Sequence, residues 1–116
     1  MNDQPIVKGE KFSFTSSVNY SVDGIVSKRI IQKPSGNISL FAFDKGQELS
    51  EHSAPFDALL QVLEGESEVL IAGKSFFLKG GESIILPANI PHAVKATTPF
   101  KMLLTMIKEV VVNLGK

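Results

Sequence analysis

The chain contains no cysteine and no tryptophan among its 116 residues. The absence of cysteine excludes disulfide bonds, thiolate metal ligands and cysteine nucleophiles. The formal net charge is zero and no block of like charges is present, so the sequence offers no electrostatic surface for nucleic acid. No apolar run approaches the roughly 18–20 residues that span a bilayer, and the amino terminus has no basic segment followed by an apolar one. We therefore expect a cytoplasmic protein that binds neither nucleic acid nor membrane.

A chain of this length is sufficient for one domain. Its apolar residues occur in short runs separated by turn-forming residues, a pattern typical of an all-β sandwich or barrel. No window shows a sustained apolar period of 3.6 residues, so we expect almost no helix. Because the first segment is more polar and less regular than the rest, we predict an N-terminal arm or edge strand at 1–24. A barrel is predicted at 25–110, followed by a C-terminal tail at 111–116.

Several predicted strands are apolar on both faces. In the segment 100–107, one face carries phenylalanine, methionine and leucine, and the other carries leucine and isoleucine with one threonine. A strand of this kind needs cover on both sides. In a small barrel one face lines the interior, and we expect a homodimer to cover the other. The alternative is that the N-terminal arm covers this face within one chain.

Two segments place a histidine at a defined distance from a glycine. In the first, five residues separate Gly46 from His52. In the second, five residues separate Gly81 from Pro87, and His92 follows. These two histidines are the only ones in the chain, so their shared pattern indicates a site.

The two segments resemble the motifs of the cupin superfamily, G-x5-H-x-H-x3or4-E-x6-G and G-x5-P-x-G-x2-H-x3-N. Gly65 matches the last glycine of the first motif, whereas Ala54 and Ala58 replace its second histidine and its glutamate. In the second motif, Asn89 replaces a glycine and Ala96 replaces the asparagine. Asparagine tolerates the left-handed backbone conformation that glycine usually adopts, so the turn should be retained. The resemblance implies a jelly-roll β-barrel, or double-stranded β-helix, whose interior holds the site, and it implies that dimers are common.

The resemblance also implies a role for the two histidines. Complete cupins bind a divalent transition metal, commonly Fe, Mn, Ni or Zn, through three histidines and one glutamate. This chain keeps two of those positions, so His52 and His92 are the candidate metal ligands, with water, a bound ligand or Asp57 completing the shell. Strand alternation should, however, point Asp57 the other way. The alternative is that both imidazoles are neutral, hydrogen-bonded residues of a cavity that binds an organic ligand or nothing. If the protein is catalytic without metal, the same two residues are the candidates for acid and base.

The interior should be mostly apolar, with room left by the two alanines. Strand alternation from the motif residues predicts the residues that line a ligand pocket. They are Phe41, Phe43, Ala54, Ala58, Leu60, Val62, Val94, Met102, Leu104 and Met106.

Three functions fit this pattern. The leading hypothesis is a cupin that binds a small molecule in its interior, with or without a divalent metal on the two histidines. The first alternative is a metal-dependent enzyme, an oxygenase or isomerase that acts on a small organic acid or sugar. The second is a non-catalytic sensor or accessory protein. Whether the protein is an enzyme is left open by the sequence.

Overall fold

The computed structural model describes residues 5–109, which form β-strands joined by turns and loops, with no helix in that range. The prediction of an all-β protein is confirmed. The nine strands of this range are β1 (Ile25–Lys33), β2 (Gly36–Phe43), β3 (Glu48–His52), β4 (Ala58–Glu64), β5 (Glu66–Ile71), β6 (Lys74–Lys79), β7 (Ser83–Leu86), β8 (His92–Ala96) and β9 (Phe100–Ile107).

The predicted tail at 111–116 lies outside the described residues, and the division into arm, barrel and tail stays a prediction. Residues 5–109 contain no helix long and apolar enough to cross a membrane.

The strands form two antiparallel sheets. The larger sheet has the order β1-β2-β9-β4-β7, and the smaller one has the order β3-β8-β5-β6. After β2 the chain passes repeatedly between the sheets, so that strands distant in sequence, such as β2 and β9, become hydrogen-bonded neighbours. This winding is that of a jelly-roll barrel. It brings β3 beside β8, and therefore the two histidine segments side by side.

Two turns depend on residues that adopt a positive φ. Asn89, between β7 and β8, has a φ of 65°, which is the left-handed conformation predicted for it. Gly65, between β4 and β5, has a φ of 79°, and a β-carbon there would overlap the backbone of Pro99 and Phe100. Gly65 is therefore required both by its backbone conformation and by the close approach of the neighbouring chain.

The interior between the sheets is filled by apolar side chains, in agreement with strand alternation. Phe43 and Phe100 stack at one end, with ring centroids 4.6 Å apart. Ala96 lies four residues before Phe100 in the chain and four residues along β8 from His92, a separation from His92 of about 13 Å in an extended strand. The interior thus has an aromatic end and a histidine end.

The outer face of the larger sheet is covered in part by the N-terminal arm. Val18 is 2% exposed and packs with Leu40, Ala42 and Leu103 of β2 and β9. The Lys101 Nζ, also on this face, donates a hydrogen bond to the Thr15 carbonyl oxygen. The cover within one chain that the sequence left as an alternative is therefore present on this part of the sheet.

Candidate metal and ligand site

The two histidines face each other across neighbouring strands. His52 ends β3 and His92 begins β8, and the two residues are direct partners in the antiparallel register. Their ring centroids lie 4.5 Å apart, with the ring planes at 68°. His92 is buried, whereas His52 is exposed. Since Val94 and Ala96 of β8 point into the interior, alternation places the His92 imidazole on the interior face, and its partner His52 shares that face.

Backbone hydrogen bonds define which nitrogen of each ring is free. The Nδ1 of His52 lies 2.9 Å from the Ser50 carbonyl oxygen, and the Nδ1 of His92 lies 3.2 Å from the Ile90 carbonyl oxygen. A carbonyl oxygen can only accept, so in both rings Nδ1 carries the hydrogen. The lone pair of the neutral imidazole is then on Nε2. This is the arrangement that orients histidine ligands in metal sites.

The protonation equilibrium of His92 favours the neutral ring. Burial lowers the pKa of His92, and the neighbouring His52 lowers it further. The hydrogen bond to the Ile90 carbonyl raises the pKa of His92, but burial is the largest of these effects. His92 is therefore neutral at neutral pH, which is the state required of a metal ligand.

The other two motif positions carry no donor side chain. Ala58 is the first residue of β4 and is buried opposite Met106 and Leu86. Ala54 lies in the loop between β3 and β4, where its carbonyl oxygen accepts a hydrogen bond from the backbone N–H of Asn89 at 2.7 Å. Among residues 5–109, no group of three or more His, Cys, Asp or Glu side chains is placed to hold a metal ion.

Asp57, one of the groups considered for the missing ligand position, faces elsewhere. Its Oδ1 accepts a hydrogen bond from the Ala88 amide at 2.8 Å. It also lines a groove on the outer face of the larger sheet together with Leu59 and Ile85. The carboxylate therefore supports the turn that precedes His92. Any further ligand of a bound metal would be water or the bound molecule itself.

Most of the predicted pocket residues lie in the interior. Ala54 is the exception, since it lies in a loop outside the interior cluster. The nine that belong to that cluster or pack against it are Phe41, Phe43, Ala58, Leu60, Val62, Val94, Met102, Leu104 and Met106. Their position agrees with the alternation argument, and their contact with a ligand stays a prediction.

The interior wall also has a polar part that the sequence-based predictions did not include. Asn37 and Ser39 lie on the same face of β2 as Phe41 and Phe43, and each is 8% exposed. Strand alternation could have identified these two residues, because the alternation that places the two phenylalanines inside also places Asn37 and Ser39 there. Arg29 of β1 is the direct partner of Ser39 and was not singled out either.

Comparison with known proteins agrees with this architecture. A family model described as "Cupin domain" matches residues 39–107. A conserved protein of unknown function from Streptococcus pyogenes is 34% identical, with a TM-score of 0.87 over 91% of this chain and 93% of that one. No curated protein sequence matches the chain.

Two further solved structures are of longer chains, of which this chain matches only a part. A cupin 2 conserved barrel domain protein from Leptotrichia buccalis is 47% identical, with a TM-score of 0.81 over 84% of this chain. This chain spans 47% of that protein's length. A salicylate 1,2-dioxygenase from Pseudoaminobacter salicylatoxidans is 20% identical, with a TM-score of 0.68 over 72% of this chain and 25% of that one. At this identity the dioxygenase shows a common fold alone.

Proposed function

The chain belongs to the cupin family, and on this basis we propose that it binds a small molecule inside its barrel, beside His52 and His92. The observation that carries the proposal is the pairing of the only two histidines of the chain across adjacent strands, with neither Nε2 atom hydrogen-bonded to a residue in 5–109. An apolar interior with a few convergent polar groups is the usual form of a small-molecule site.

The donor set of the pair also suits a divalent transition metal. Neutral imidazole is a good ligand for Fe, Mn, Ni and Zn, and in both rings the nitrogen away from the backbone hydrogen bond is the free one. We propose that His52 and His92 hold one such ion through Nε2. With alanine at the two remaining motif positions, the affinity should be lower than that of a site with four protein ligands. A bound ion would supply Lewis-acid polarisation of an oxygen atom of the ligand.

The protein's own residues have three tasks in this proposal. The apolar wall, which includes Leu60 and Val94, removes water from the bound molecule. The Ser50 and Ile90 carbonyl oxygens orient the two rings. The Nε2 atoms accept a hydrogen bond from the ligand when no metal is present, or bind the ion when one is.

The test is metal binding by variants of the pair. We expect protein purified without chelator or metal-affinity resin to bind Co²⁺ in a titration, and His52→Ala or His92→Ala to weaken binding at least about tenfold, since each removes one of two ligands. Glu51→Gln is the matched control, because it removes an exposed carboxylate beside His52 without removing an imidazole. Absence of Co²⁺ binding in the wild type, or unchanged affinity in the double histidine variant, would exclude the metal.

The alternatives differ in turnover. A metal-dependent oxygenase or isomerase would form product from a small organic acid or sugar and would lose this activity in both histidine variants. A sensor or accessory protein would bind the same molecule and release it unchanged. The common fold with a salicylate 1,2-dioxygenase does not favour either, since the identity is 20%.

We also propose that the protein forms a homodimer through the part of the larger sheet that the arm leaves uncovered. Leu59, Ile85 and Ile107 expose apolar side chains there and line a groove of about 540 Å³. Isoleucine side chains that are 62% and 71% exposed on a sheet face are typical of a surface that another chain covers. A second copy of the chain would supply that cover.

A further inference from the structure

Two buried polar side chains of β2 make no hydrogen bond within the described part of the chain. Asn37 and Ser39 are each 8% exposed, and no hydrogen bond joins either side chain to a residue in 5–109. In the same range, no side-chain nitrogen or oxygen that is sealed from solvent lacks a partner. The Asn37 amide and the Ser39 hydroxyl must therefore border a space that solvent or a ligand can enter, where their hydrogen bonds are satisfied.

The strand register shows which face of the sheet carries both residues. Asn37 lies opposite Met106, and Ser39 lies opposite Leu104, in the pairing of β2 with β9. Both partners pack against the interior cluster. The two polar residues therefore belong to the interior face of the larger sheet, the face that opposes the histidines. Ala58 is the position that would carry the motif glutamate. It lies two strands from Asn37, so the two backbones are about 10 Å apart.

Arg29 adds a positive charge to this wall. It is the direct partner of Ser39 across β1 and β2. The preceding residue, Lys28, points to the opposite face, where its Nζ donates to the Ser17 carbonyl oxygen of the arm. Arg29 is exposed, and its guanidinium forms no ion pair with any residue in 5–109. Its five N–H donors are available to a ligand.

The charged residues at regular strand positions of the interior face are basic in the described range. Lys74 shares a face of β6 with Phe76 and Leu78, which pack into the interior cluster. Outside the irregular segment between Leu49 and His52, none of the strand positions on the interior face in the described range carries Asp or Glu. An interior with cations and hydrogen-bond donors is complementary to an anionic ligand.

We propose that Arg29, Ser39 and Asn37 form a subsite that binds the carboxylate of a small organic acid, whose other end lies beside the histidine pair. Arginine binds a carboxylate through two parallel hydrogen bonds, and the hydroxyl and amide groups donate to the same anion. The proposal rests on the proposed function, since it requires a ligand in the barrel. It selects an organic acid over a neutral sugar as the ligand class.

The test compares carboxylates with their matched amides, such as benzoate with benzamide, pyruvate with pyruvamide and succinate with succinamide. We expect at least one carboxylate to raise the midpoint of thermal unfolding and its amide to have no effect. Arg29→Gln should weaken the binding of that carboxylate at least about tenfold, since hydrogen bonds to a charged group are the strong ones. Arg29→Lys should give an intermediate loss, and the Asn37→Ala, Ser39→Ala double variant should also bind more weakly.

Lys33→Gln is the matched control, because it removes one positive charge from an exposed position of the same strand. Its carboxylate affinity should be that of the wild type. Equal binding of acids and amides, no binding of any acid, or unchanged affinity in Arg29→Gln would overturn the subsite. A parallel Co²⁺ titration separates the two proposals: binding of Co²⁺ by the wild type and by Arg29→Gln without acid selectivity would leave the histidine site and remove the subsite.

Discussion

At the scale of single residues, Tyr20 and Glu64 connect the N-terminal arm to the barrel. The Tyr20 hydroxyl donates a hydrogen bond to the Glu64 Oε2 at 2.6 Å, and the Lys101 Nζ lies 5.0 Å from the tyrosine ring centroid. Burial raises the pKa of Tyr20 well above its ordinary value, and the hydrogen bond and negative charge of Glu64 raise it further. Because the protonated phenol is the form that bonds Glu64, this contact holds the arm only while Tyr20 is protonated.

We predict that Tyr20 ionises well above the pH of about 10 that is typical of a free tyrosine. It is the only tyrosine in a chain without tryptophan, so phenolate absorbance reports this group alone. A raised folded-state pKa means that its contribution to stability is complete below about pH 10 and is lost as the pH rises further. Glu64→Gln should lower the titration midpoint, and Glu66→Gln, a nearby exposed carboxylate, should leave it unchanged. A wild-type midpoint at or below about 10 would contradict the contact.

At the scale of strands and turns, the connection between β4 and β5 requires a glycine at one position. Gly65 combines a positive φ with contact to Pro99 and Phe100, whereas Gly81 has a positive φ of 92° but nothing within 4 Å of the position that a β-carbon would occupy. We expect Gly81→Ala to cost about 1–2 kcal/mol from the left-handed backbone alone. Gly65→Ala should cost a further 1–3 kcal/mol or so from steric overlap. Urea unfolding of both variants measures the difference, and equal losses would contradict the steric explanation.

Much of the strand arrangement could be predicted from the sequence, because local turn chemistry and alternation act over a few residues. The left-handed Asn89 and the interior positions of Leu60 and Val62 are examples. What could not be predicted depends on long-range or irregular pairing. The bulge between Arg29 and Ile31 changes which side chains of β1 share a face, and nothing in the local sequence indicates it.

For the histidine pair, the sequence predicted the shared site but not the orientation of the rings. The motif spacing predicted that His52 and His92 belong to one site, and the structure places them as cross-strand partners. The assignment of Nδ1 as the hydrogen-bonded nitrogen depends on the Ser50 and Ile90 carbonyl oxygens, which only the folded backbone positions. The arm contact from Tyr20 to Glu64 likewise joins residues 44 positions apart, without a sequence signal.

At the scale of the whole molecule, the uncovered part of the larger sheet leads to a prediction about assembly. Sedimentation velocity should show a homodimer for the wild type and a shift to monomer for Ile85→Glu, because a charge in an apolar interface is costly. Phe77→Glu is the matched control, since Phe77 is 70% exposed on the smaller sheet, away from the proposed interface. A wild-type monomer, or loss of the dimer in both variants alike, would contradict the proposed interface. Cytoplasmic location stays a prediction.

The pairing of the two imidazoles with free Nε2 atoms is tested most directly by nitrogen NMR of protein labelled in its histidine rings. The chain has only two histidines, so every ring-nitrogen signal can be assigned to one of them. We predict that the neutral form of each ring carries hydrogen on Nδ1 and that added Zn²⁺ shifts the Nε2 signals of both rings together. Hydrogen on Nε2 in either ring, or a Zn²⁺ response from one ring only, would contradict the proposed pair.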